Sequence, residues 1–212
     1  MAAVNVITAI INLVPNKDAN DGMKVKSLSQ SVEASHALHV CMSNLKRLEA
    51  GERYRDFDED TFEIGEAADY SNYYIASLVL GEADRLYDLG DCETYIKQYE
   101  RLDLDKLPGS LRTAVLLEYL YYYIIHQPDF HLAKMIHSDR DIKSFLKKAE
   151  RKCARVIAAY EFFVNHDQER GRLYLNKAKE FVADTPFEGG RAMENDRIKE
   201  LEGMMDEKAC NI

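Results

Sequence analysis

Residues 158–181 read AAYEFFVNHDQERGRLYLNKAKEF, and this stretch decides how the rest of the chain is read. An apolar run closes on Phe162-Phe163, breaks at Asn-His-Asp, and gives way to a charged segment whose apolar residues recur at helical spacing. Asp167 stands where a helix N-cap belongs, because its carboxylate can accept the backbone N–H groups left open in a first helical turn. The same phrase occurs twice more, as Leu-Gly-Asp at 89–91 and Gln-Pro-Asp at 127–129, so that Asp91, Asp129 and Asp167 are 38 residues apart in each case. Each Asp follows an apolar pair: Leu86-Tyr87, Ile124-Ile125 and Phe162-Phe163. Four residues after the Asp come Tyr95, Ala133 and Gly171, the last two small enough to let helices approach closely. Pro108 and Pro186 follow the second helices of the first and third units, where a helix has to stop.

Working outward, residues 69–206 predict an all-α body of antiparallel helical hairpins. The pattern resembles the tetratricopeptide class of hairpin repeats in a degenerate, slightly long form. Arrays of that class present concave surfaces to peptides or proteins, which implies a protein or peptide partner. The expected division is an apolar helix at 1–15, a loop at 16–22, a connecting helix at 23–48, a charged linker at 49–60 and the hairpin domain at 61–212. The irregular bundle with coincidental spacing is the competing architecture.

Bulk composition narrows the function. The chain has 212 residues, 46% of them hydrophobic, so it can bury a core, and its net charge of −9 argues against general nucleic-acid binding. Glycine fingerprints for dinucleotides, a P-loop and a Gly-x-Ser-x-Gly elbow are missing from the sequence. Cys41, Cys92, Cys153 and Cys210 include no Cys-x-x-Cys pair and read as reduced thiols. His36 and His39 share a helix face but lack the Glu of His-Glu-x-x-His, and read as surface residues. His126, His131, His137 and His166 lie near helix ends. The aromatic run EYLYYYIIH (118–126) reads as core with hydroxyls reaching the surface, and RDFDED (55–60) as a solvated acidic run lacking calcium-loop order.

The amino-terminal stretch is different. Residues 10–25 read IINLVPNKDANDGMKV, the end of an apolar run over 2–14, then a proline, a polar bend and Asp-Gly. Thirteen residues fall short of the roughly 20 that a spanning helix needs. The segment is therefore either the end of a membrane helix or a short helix packed on the body. Lys17, Lys24 and Lys26 come directly after it, and a membrane reading would put the helical body in the cytoplasm.

Asn12, Pro15, Asp21 and Gly22 resemble the third motif of the site-2 protease family, the intramembrane zinc metalloproteases. In that family the motif runs Asn-x-x-Pro, a few residues, then Asp-Gly, at the end of a membrane helix. The resemblance implies that Asp21 is the third ligand of a catalytic zinc whose two histidines come from a His-Glu-x-x-His on an earlier helix. Some bacterial members carry a cytosolic helical tail with phrases much like 158–181. Asn20 replaces the usual Leu, Asp21 lies six positions after Pro15, and His-Glu-x-x-His occurs nowhere in the sequence. The resemblance therefore implies a carboxyl-terminal portion, incomplete as a catalyst by itself, sitting in a bacterial cell membrane through residues 1–15 with its helical domain in the cytoplasm. Without the missing half, Asn20-Asp21-Gly22 is a simple turn, and the chain a cytoplasmic helical scaffold that binds proteins.

Overall fold

A computed structural model describes residues 21–65 and 68–210. The protein is all-α, with ten α-helices and no strand among the described residues. These are α1 Asp21–Gln30, α2 Val32–Glu49, α3 Tyr73–Asp88, α4 Cys92–Gln98, α5 Gly109–Ile125, α6 Phe130–Ser138, α7 Arg140–Lys148, α8 Ala154–Ala159, α9 Gln168–Ala183 and α10 Glu188–Cys210. They belong to two compact units. The first contains residues 21–46 and 55–114, the second Arg47–Tyr54 and residues 115–210. The division cuts through the single hairpin domain expected over 61–212.

In the first unit the expected connecting helix is two helices. The chain breaks at Ser31, whose hydroxyl accepts the Ala34 N–H at 3.0 Å and so restarts the helix as α2. Ala34, Ala37 and Val40 form the buried side of α2. α1 packs on α3 and is tied to it by Asn72, whose side chain caps α3 and donates to the Ser27 carbonyl at 2.8 Å. α3 and α4 form the first hairpin around Ile75, Leu78, Tyr87 and Tyr95. The acidic run 55–60 is anchored here. Phe57 is buried, and Asp88 accepts both the backbone N–H and the guanidinium of Arg55, at 3.1 and 3.0 Å.

In the second unit α8 continues into a wide π turn, Tyr160–Val164, and packs closely on α9, which packs in turn on α10. Leu120, Tyr121, Phe162, Leu175, Leu201 and Met205 are the centre of its core. The segment after the second Asp is built differently. The helix that begins after Asp129 stops at Ser138, because Asp139 takes the N–H groups of Asp141 and Ile142 and starts α7 in a new direction. α7 buries Ile142 and Leu146 against Leu116, Leu117 and Ile157.

All three Asp residues cap as the sequence predicts. Asp91 accepts from Thr94, Asp129 from His131 and Leu132, and Asp167 from Arg170, at 2.9–3.0 Å. Residues Tyr95, Ala133 and Gly171 are each buried one turn later. The preceding turns share further bonds: Gln127 to the Tyr122 carbonyl and Asn165 to that of Tyr160, then Asp129 to Tyr123 and Asp167 to Glu161. These pairs are offset by the same 38 residues.

Candidate functional site

Asp21 and Gly22, the conditional zinc ligand and its neighbour, form the first turn of α1. The Asp21 side chain is 70% exposed, with the Lys24 ammonium 4.0 Å away. Gly22 is buried. Asn12, Pro15 and the apolar run 2–14 lie outside the described residues. Among the described residues no group of three His, Cys, Asp or Glu side chains could hold a metal ion. A catalytic zinc needs three protein ligands, and the described residues bring no such set together around Asp21. None of the described helices is long and apolar enough to cross a membrane.

His36 lines a small cavity of about 160 Å³ in the first unit, together with Glu33, Glu63, Ile75 and Leu78. His39 is exposed. His137 stacks on Tyr160 with ring centres 3.9 Å apart, and burial pushes its pKa below the usual imidazole value. His166 occupies a left-handed conformation, φ +58°. Burial raises the thiols of Cys41 and Cys153 to about 11, which leaves both unreactive near neutral pH.

The densest polar chemistry lies between α5, α8 and α10 of the second unit. Arg155 projects from α8, only 6% exposed, and donates through Nε to Glu194 of α10 at 2.6 Å. Its guanidinium lies over the Tyr121 ring, 4.1 Å from the centre. Glu118 of α5 sits between two cations, its Oε1 4.0 Å from Arg155 and 3.9 Å from Arg197. His126 Nδ1 is 3.9 Å from Glu200, and burial holds the imidazole below its ordinary pKa despite that carboxylate. Tyr121 is fully buried and its hydroxyl is pushed up to about 12, mainly by desolvation. The aromatic run 118–126 is thus core, as its sequence suggests, yet the Tyr121 hydroxyl stays inside and makes no hydrogen bond.

Two buried arginines against Glu118 and Glu194 form a charge-balanced cluster that joins three helices. Burial of such pairs costs nearly as much solvation as it returns in attraction, so the cluster adds little net stability. The sequence reading missed this cluster. One signal was present: Arg155 interrupts the apolar run of CARVIAAYEFFV.

No protein-family model, curated protein or solved structure matches the chain.

Proposed function

We propose that the chain is the last motif and cytosolic tail of a site-2-protease-type membrane metallopeptidase. In this reading the helical body is a tetratricopeptide-like hairpin array that binds a partner or substrate protein and carries no catalytic group. The observation behind it is the Asp-capped turn that recurs every 38 residues, its backbone bonds matched between the second and third, downstream of Asn12, Pro15 and Asp21-Gly22. Asp21 would serve as third zinc ligand only beside a His-Glu-x-x-His supplied from outside this sequence. The test is fractionation of the source cells with an antibody against the helical body. The expected antigen is larger than this 24.4 kDa chain and resists carbonate extraction from membranes. A 24 kDa antigen in the soluble fraction overturns the peptidase reading.

A second reading has its own support. Val25, Val32, Met42 and Leu45 are exposed on α1 and α2, at 61, 82, 50 and 38%. A scaffold whose residues 2–14 cover these side chains would be soluble without detergent, and the same fractionation separates it from the first.

A further inference from the structure

We propose that the outer face of α7, with the residues flanking it, is a docking surface for an anionic lipid bilayer. Residues 134–152 carry seven cations and three carboxylates in a chain whose net charge is −9. This 19-residue stretch is therefore net +4 and the rest of the molecule net −13. Lys134, Arg140, Lys143, Lys147, Lys148 and Lys152 are all exposed, and none forms an ion pair among the described residues. The nearby Arg151 and Glu150 are paired elsewhere, with Asp184 and Lys177. Ile142 and Leu146 pin the inner side of α7 to the core, and at 3.6 residues per turn Arg140, Lys147 and Lys148 fall on the side facing away. Phe145 at the margin of that face is 37% exposed, and Met135 on α6 is 56% exposed.

The mixture points to a bilayer more than to an acidic protein. Five of the six unpaired cations are lysines, which act as mobile point charges on long stems. Recognition of a defined carboxylate or phosphate would favour the rigid fork of arginine. Apolar side chains beside the lysines suit the boundary between headgroups and acyl chains. A tail tethered behind a membrane helix would reach such a surface continuously, so the inference deepens the membrane reading and takes its setting from it.

The test uses the whole chain and vesicles of phosphatidylcholine alone or with 30 mol% phosphatidylglycerol, read by flotation. Binding is expected only to the anionic vesicles and is expected to vanish in 0.5 M salt, where the screening length falls to a few ångströms. Each basic residue near such a surface contributes roughly fivefold in partitioning, so Lys143→Glu, Lys147→Glu and Lys148→Glu together should weaken it about a hundredfold. A control with Lys97→Glu, Lys106→Glu and Lys199→Glu changes net charge equally and should bind nearly as wild type. Circular dichroism confirms that both triple variants fold. Equal binding to neutral vesicles, insensitive to salt and to the α7 changes, would credit residues 1–15 and overturn the α7 surface while leaving the membrane reading intact. Equal loss in both triple variants, failure to bind any vesicle, or binding of polyglutamate in place of vesicles would also overturn it.

Discussion

The first and third hairpins make the same chain reversal with opposite materials. At the first, Gly90 supplies the positive φ of +84°, and the residue one turn into the second helix is Tyr95, fully buried with its ring edge-on to Tyr87 and Tyr99. At the third, His166 takes the positive φ, and the corresponding residue is Gly171. A Cβ on Gly171 would lie 2.7 Å from Phe162 Cβ and 3.1 Å from its Cα. One hairpin fills the gap between its helices with a large ring, and the other closes the gap until nothing fits. What the two turns share is the Asp cap and the buried position after it, not the volume placed there.

This contrast can be broken from either side. Tyr95→Ala should cost the first hairpin most, about 3–5 kcal/mol, as removal of a buried aromatic ring generally does; denaturant unfolding measures it. Gly171→Ala should cost the third about 1–3 kcal/mol, since the added methyl meets backbone as well as side chain and the helices have to part. If the two glycine-for-bulk solutions were interchangeable, Gly171→Ala would be neutral.

The caps sharpen the comparison at a smaller scale. Asp129→Ala should lower stability by about 1 kcal/mol, the usual price of an N-cap. His166→Gly should raise it by up to about 0.5 kcal/mol, because relief of a left-handed side chain exceeds the added freedom of the unfolded chain. Thr94, through its backbone N–H and hydroxyl, holds the Asp91 carboxyl below its ordinary value of 3.8. A depressed folded pKa means stability that is present above the unfolded pKa and lost as pH falls through the folded one. The gap in unfolding midpoint between wild type and Asp91→Ala should therefore be constant near neutrality and shrink below pH 3.8.

Helical class, the three caps and the apolar pairs were legible because each depends on residues within a few positions of one another. The break at Ser31 was not, since the apolar spacing of Val25, Leu28 and Val32 runs through it while a single hydroxyl redirects the backbone. Asp139 was missed for a similar reason: the 38-residue period drew attention to Asp129 and hid a second cap ten residues on. The buried cluster joins Glu118, Arg155, Glu194 and Arg197 from three helices, and only tertiary packing brings them together. Asp21 falls in a helical first turn where the spacing suggested a loop, because an acidic residue followed by a run of good helix formers serves either purpose.

The π turn at Tyr160–Val164 sets the angle at which α8 meets the third Asp cap. A turn of that kind closes on i→i+5 bonds and so holds one residue more than an α-helical turn. Removing one residue there would rotate Phe162 and everything before it by about a hundred degrees relative to the cap. A chain lacking that residue would need a new inward face for α8, with Arg155 no longer pointing at Glu194.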